Sequence, residues 1–133
     1  MTFTLPAPRT YGPLTRTDFV RYQGASGDMN PLHHDEEFCR ARDLPMPMGP
    51  GMLGAGVLAG WLVGVVPPAS VRRYRVRFEG PVWPGDSLTC VATAIREYDE
   101  DGRGMLDLEL VCRRQTGDTA IRGWATCVRE DPA

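Results

Sequence analysis

From Met52 to Val66 the chain reads MLGAGVLAGWLVGVV, fifteen residues without a charge, closed by Pro67-Pro68. A helix over this stretch is apolar on every side. At 1.5 Å per residue it is about 22 Å long, short of the roughly 30 Å hydrocarbon core of a bilayer, and neither end carries a basic flank. A membrane span is therefore rejected, and a helix apolar all round must be buried by protein, as a sheet wrapped around it provides. Gly56, Gly60 and Gly64 fall on one face of that helix, each at up to about 1 kcal/mol relative to Ala. Close approach of the wrapping backbone is the expected reason.

The material for the wrapping sheet follows directly. In Val71 to Phe78, Tyr74, Val76 and Phe78 alternate with Arg73, Arg75 and Arg77, which predicts a strand with one face on the core and one basic face. Further strands are predicted over Ser87 to Tyr98, Met105 to Gln115 and Thr119 to Arg129, separated by the turn signals Asp99-Glu100-Asp101-Gly102 and Thr116-Gly117-Asp118. Four antiparallel strands after a buried helix make an α+β layer. With 133 residues the chain is one domain, too short for two cores, and residues 1–13, with scattered prolines, read as an extended N-terminal segment.

Composition narrows the function class. A net charge of −2 gives no reason to expect nucleic acid or an acidic membrane as partner. Cys39, Cys90, Cys112 and Cys127 are widely spaced with no C-x-x-C, so neither a zinc knuckle nor a redox pair is indicated. The first thirteen residues hold no apolar run, which speaks against a secretory signal and for reduced cysteines in the cytoplasm.

The chemistry concentrates between Gly24 and His33, GASGDMNPLH. Gly27 permits a turn that other residues resist, and Pro31 pushes Asn30 out of the α region, so Asp28 and His33 are held across a bend and can face one space. The same residue types also make an ordinary Asx-type loop. Thr15 and Thr17-Asp18 can cap a helix running into the loop, to about Gly24, with Phe19, Val20 and Gln23 at helical spacing. Beyond His33, Asp35 to Arg42 reads as a short helix, acidic first and basic last, with Asp35 as its N-cap. Leu44 to Pro50 holds three prolines in its last six residues and is an extended loop; its methionines either line an acyl pocket or fill the core. A metal set drawn from Asp28, His33, His34 and Cys39 fails on spacing, because adjacent histidines rarely converge. His34 is then a surface residue.

The segment resembles the S-G-D-x-N-P-[IL]-H-x-D signature of the MaoC-like, R-specific enoyl thioester hydratases and dehydratases, matching at Ser26, Gly27, Asp28, Asn30, Pro31, Leu32, His33 and Asp35. Two further elements of that family stand in order: Gly51-Met52, opening the apolar helix, and Arg77-Phe78-Glu79-Gly80-Pro81-Val82-Trp83-Pro84-Gly85-Asp86. The resemblance runs from about Leu14 to Val128. It implies a single hot-dog domain, an antiparallel sheet wrapped around a long central helix. It also implies a hydro-lyase that adds water to a trans-2-enoyl thioester of coenzyme A or acyl carrier protein, needing no metal or redox cofactor.

In that reading Asp28 is the base that takes a proton from water, a role that asks for a partly buried carboxylate. His33 is the second acid/base group and serves C2. The Gly51 N–H, at a helix N-terminus, is the donor to the thioester oxygen, and Asn30 fixes the loop or a neighbouring polar group. Family members work as dimers with each site near the shared interface, which implies a homodimer or a heterodimer with a paralogous hot-dog chain. Two departures stand out: Pro50 replaces the His that usually precedes Gly-Met, and Val57-Leu58-Ala59 stand where some members place a Ser near the catalytic Asp. A hot-dog thioesterase using the same Asp against C1, and a non-catalytic subunit lending acyl pocket to an active partner, are the alternatives. The row Arg72, Arg73, Arg75, Arg77 either attracts coenzyme A phosphates or an acidic carrier, or is a solvated strand face.

Overall fold

In the computed structural model, residues 3–129 are described; Met1 and Thr2 of the expected N-terminal segment lie outside them. Five strands, β1 (Arg9–Tyr11), β2 (Val71–Phe78), β3 (Leu88–Glu100), β4 (Arg103–Arg114) and β5 (Thr119–Val128), form one antiparallel sheet in the order β1-β3-β4-β5-β2. Three α-helices accompany it: α1 (Arg16–Ser26), α2 (Glu36–Arg40) and α3 (Gly51–Leu62). The four strands expected from alternation and turn signals are present. β1 is an addition to them, because three residues among Pro6, Pro8 and Pro13 carry no alternation to read; its identity comes from its partner β3, which it meets at Arg9↔Cys90 and Tyr11↔Leu88.

Local chemistry sets the element ends. Thr15 and Asp18 form a reciprocal capping box at the start of α1. Gly27 closes the helix in the left-handed region at φ 78°, two residues later than expected. The β3–β4 hairpin turns on Asp101 and Gly102 alone, both with positive φ, as a tight two-residue hairpin loop demands. Asp35 caps α2 by accepting the Phe38 amide at 3.0 Å. The expected helix to Val66 stops at Leu62 and unwinds through 63–66 in short turns such as Gly64 N–H to the Trp61 carbonyl. Pro67 explains this, since it disfavours the α region for Val66.

Two expectations about α3 are corrected. It is not buried on every side: Leu58, Trp61 and Leu62 sit on the sheet, while Met52 is 57 % exposed and Val63 is 41 % exposed. One sheet can cover only one face of a helix. The glycines that permit close approach are also different ones. A Cβ at Gly54 would stand 2.7 Å from Ile121 Cδ1, and one at Gly123 in β5 would stand 3.0 Å from Leu58 Cδ2, whereas Gly56 and Gly60 have nothing within 4 Å. Gly64 meets only backbone of its own helix end. Tyr74 of β2 ties the same helix down, its hydroxyl donating to the Ala55 carbonyl at 2.7 Å. Among the described residues no helix is long and apolar enough to cross a membrane.

Because Gly56 lies in an open helical position, Gly56→Ala should raise stability by about 0.5–1 kcal/mol through the unfolded chain's lost entropy. Denaturant unfolding of the variant reads this directly; a loss of stability would mean that the face is tightly covered.

Candidate active site

Helix α1 leads into the site loop, and a 3₁₀ turn at Pro31–His33 closes it. Asn30 caps that turn, its Oδ1 accepting the Leu32 amide at 3.0 Å. Asn30 is exposed and does not line the cavity. Asp28 turns the other way. Its Oδ1 accepts the Asn30 amide at 3.3 Å, and its Oδ2 lies 3.4 Å from His33 Nε2.

His33 is buried and oriented from behind. Its Nδ1 lies 2.8 Å from the Met48 carbonyl, and since a carbonyl only accepts, Nδ1 carries a hydrogen. The exchangeable position is therefore Nε2, which faces Asp28. Met48 is held in turn by its amide, which donates to the Leu32 carbonyl at 3.1 Å. Pro45, Pro47 and Pro50 keep this loop out of any helix, which leaves the Met48 carbonyl available to the ring. Asp28, by contrast, keeps 47 % of its side chain exposed, more open in this single chain than the expected partly buried base.

Both groups line a cavity of about 560 Å³, within the range of small-molecule sites. Its apolar walls include Phe19, Val82, Trp83, Leu88 and Ile121. Met48 borders it, while Pro47 is packed into the interior. Gly51, the first residue of α3, stands at the cavity with Phe78 beside it. Pro50 precedes it with no side-chain cap, and among the described residues the Gly51 amide donates to no loop or side-chain acceptor. The cavity thus holds an acid, an imidazole nitrogen and a free helix-end donor.

Sequence reasoning missed two supports. Gln23, placed only by helical spacing, is 3 % exposed; its Nε2 donates to the carbonyls of Asp28 at 2.8 Å and Asn30 at 3.2 Å. Its Oε1 meets His34 Nδ1 at 3.1 Å. A polar residue at an inward-facing helical position was the available signal. Val20, expected on the same face, is 53 % exposed. His34 itself is exposed. The alternative metal set does not converge, since His33, His34 and Cys39 point to the Met48 carbonyl, Gln23 and the Leu32 carbonyl respectively; among the described residues no three ligand-type side chains gather.

The second support is Asp86, which anchors the wall segment 81–86. Its carboxylate, 6 % exposed, accepts from the Trp83 amide at 2.8 Å, from Arg114 Nε at 2.7 Å and from Gln115 Nε2 at 2.7 Å. Burial pushes the Asp86 carboxyl up, but the hydrogen bonds from Arg114, Trp83 and Gln115 outweigh it and hold it below the usual carboxylate range. Leu14 locks the same corner by exchanging backbone bonds with 85–86, its N–H donating to the Asp86 carbonyl at 2.8 Å and its carbonyl accepting from the Gly85 amide at 2.6 Å.

The MaoC like domain family matches residues 4–107. The chain belongs to this family. Enoyl-CoA hydratase ChsH3 of Mycobacterium tuberculosis (strain ATCC 25618 / H37Rv) is 36 % identical over 66 residues, 47 % of this chain and 23 % of that protein, so the chain spans about a quarter of that relative. The mitochondrial 3-hydroxyacyl-[acyl-carrier-protein] dehydratase FERN of Solanum lycopersicum is 26 % identical over 111 residues, 84 % of this chain and 67 % of that protein. Among solved structures, the (R)-hydratase from A. caviae involved in PHA biosynthesis superposes with a TM-score of 0.78 at 23 % identity, covering 94 % of this chain and 96 % of that one. This is the shared hot-dog fold of the MaoC-like domain, here a single α+β layer with α3 packed on one face of the sheet.

Removing the anchor of this MaoC-like domain's wall should be costly. Asp86→Ala leaves the part-buried Arg114 with only the exposed Asp118 as carboxylate partner and should destabilise by about 1.5–3 kcal/mol. Since the folded pKa lies below the unfolded one, the unfolded state binds the extra proton: the Asp86 contribution is complete above an unfolded value of about 3.9 and is lost as pH falls through the folded value. Urea titrations between neutral pH and about pH 3 should show the wild type and variant converging as acid is added; parallel curves would remove Asp86 from this role.

Proposed function

We propose that this chain is a hydro-lyase that adds water reversibly to a trans-2-enoyl thioester of coenzyme A or an acyl carrier protein, giving the 3-hydroxyacyl thioester, of R configuration. The carrying observation is the 3.4 Å approach of Asp28 Oδ2 and His33 Nε2 within the cavity that Gly51, the first residue of α3, also lines. A water molecule that donates one O–H to Asp28 places its oxygen over C3 of an enoyl chain lying along the apolar wall. As oxygen bonds to C3, its proton passes to Asp28. The π electrons move to C2, and charge gathers on the thioester oxygen, where the Gly51 N–H donates.

Protonated at Nε2, His33 delivers that proton to C2, and its Nδ1–H stays on the Met48 carbonyl throughout. Asp28 then returns a proton to Nε2 across their short separation, which restores the starting state. Dehydration runs the same steps backwards. No metal or redox group enters this balance. Nothing in it requires the usual His before Gly51, because the donor is the backbone. The half-exposed Asp28 supports a second hot-dog chain, identical or paralogous, closing the site. The four cysteines, buried and free, suit a reducing compartment such as the cytoplasm.

Purified protein, alone or with such a second chain, should abolish the ultraviolet absorbance of a conjugated 2-enoyl-CoA while releasing no thiol. Thiol release from a saturated acyl-CoA with the enoyl absorbance intact would make the chain a thioesterase. Asp28→Asn and His33→Ala should each lower kcat by about 10² to 10⁴, and the double variant should lose far less than the product of the two. Asp35→Ala and His34→Ala act on a helix cap and an exposed ring and should cost much less. An active Asp28→Asn protein beside an inactive His34→Ala protein would overturn the assignment.

A further inference from the structure

The cavity runs across the sheet rather than along a strand. Phe78 on β2, Ile121 on β5 and Leu88 on β3 all line it, and β4 lies between the last two in the strand order. From β2 to β3 is three inter-strand steps, about 14 Å at the usual spacing. With C–C bonds near 1.5 Å an extended carbon chain advances about 1.25 Å per atom, so roughly ten carbons span that path. Phe78, half in solvent, stands at the mouth, and the buried Leu14, Phe19 and Leu88 close the far end. Apart from Asp28 and His33, the one charged side chain on the lining among the described residues is Glu79, which accepts from Arg122 Nε at 3.0 Å. Among those residues no buried side-chain nitrogen or oxygen lacks a partner. Beyond the reacting end, a guest in this space meets no side chain waiting for a hydrogen bond, which suits an aliphatic chain.

Ile121 stands one step along this path, and there it is held aside. It is the direct register partner of Phe78. The first turn of α3 lies over the two, Gly51 against the Phe78 ring and Gly54 against Ile121, since residues three apart share a helix face. A Cβ at Gly54 would stand 2.7 Å from Ile121 Cδ1 but 3.8 Å from its Cγ1. The terminal methyl alone therefore occupies the notch that the missing side chain leaves. Cys112, the register neighbour of Ile121 on its other side, is fully buried, so a methyl expelled from the notch has the cavity to move into.

We propose that Gly54 and Ile121 are a matched pair that sets which acyl chains the cavity takes: the notch keeps the Ile121 methyl out of the path, and a medium-length aliphatic chain passes over it to end against Leu88. The inference rests on the reading of the site as one for acyl thioesters and adds the class of acyl group. Gly54→Ala turns the methyl into the path and shortens the chain accepted. Ile121→Val removes only Cδ1 and frees the space of one methyl. One methylene in an apolar pocket changes discrimination by about 10- to 200-fold, which makes both effects measurable.

Binding is the main readout, because it does not require turnover. Calorimetric Kd values of butyryl-, hexanoyl-, octanoyl- and decanoyl-CoA are measured for the full chain as wild type, Gly54→Ala, Ile121→Val and the double variant, with hydration of the matching trans-2-enoyl-CoA followed in parallel. Gly54→Ala is expected to lower the preference for octanoyl- over butyryl-CoA by about tenfold or more. Ile121→Val should shift the preference toward decanoyl-CoA, and the double variant should return the octanoyl preference to within about threefold of wild type, the coupling that a shared contact produces. Equal losses at every length in Gly54→Ala would mean that the helix had lifted and not that the methyl had turned, and overturn the proposal. A double variant no better than Gly54→Ala overturns it too. Should circular dichroism show Gly54→Ala unfolded, Ile121→Val decides, and an unchanged length preference there rules the pair out. Length-selective binding that responds to both substitutions, without hydration, would remove the hydratase reading and leave the pair standing. Hydration with a length profile indifferent to both would do the reverse, and no binding of any of the four thioesters would overturn both.

Discussion

The contact on which the site depends is the seating of α3 on the sheet through Gly54 and Gly123. With no side chain at either point, the helix approaches closely enough for Leu58 to meet β5 and for Ile121 to fill the space under Gly54. Burial of Leu58, Trp61 and Leu62 supplies the driving force, at roughly 1.5–3 kcal/mol for each large side chain removed from water. Depth and direction of the helix follow. So does the position of its first amide, and with it one wall of the cavity.

The opposite wall is built on a different principle. The segment 27–33 contains almost no repetitive hydrogen bonding, and its shape is imposed by neighbours: Gln23 from beneath, the Met48 carbonyl from behind, and Asn30 across its own turn. Buried backbone carbonyls need donors, and Gln23 provides two from a single amide. A helix side chain on the interior face thus fixes the geometry of a loop that could not fix itself.

How much was readable beforehand follows from this division. Strand β2 was legible because alternation is a local property, β3 to β5 because turn signals are, and the starts of α1 and α2 because caps are. The Asp28 and His33 pairing was legible through the Gly27 and Pro31 constraints and the family resemblance. What escaped depends on distant partners. β1 exists only against β3. The closely approached glycines could be told from the exposed ones only once the sheet was known to cover a single helix face. The occupation of Gln23 and Asp86 required knowing which carbonyls and cations lay beside them.

At the junction of the two walls, Pro50 has no amide hydrogen and Gly51 has no side chain, so the polarity of that corner is carried by main chain alone. Side-chain substitution cannot delete a donor of this kind; it can only crowd it, as Phe78 already nearly does, its ring 3.1 Å from where a Cβ on Gly51 would stand. The chemical and selective parts of the cavity are thereby separable. Walls such as Phe19, Val82 and Ile121 are free to be remodeled for another acyl shape, while the amide proposed to meet the reacting oxygen persists through any such change that leaves the backbone of α3 in place.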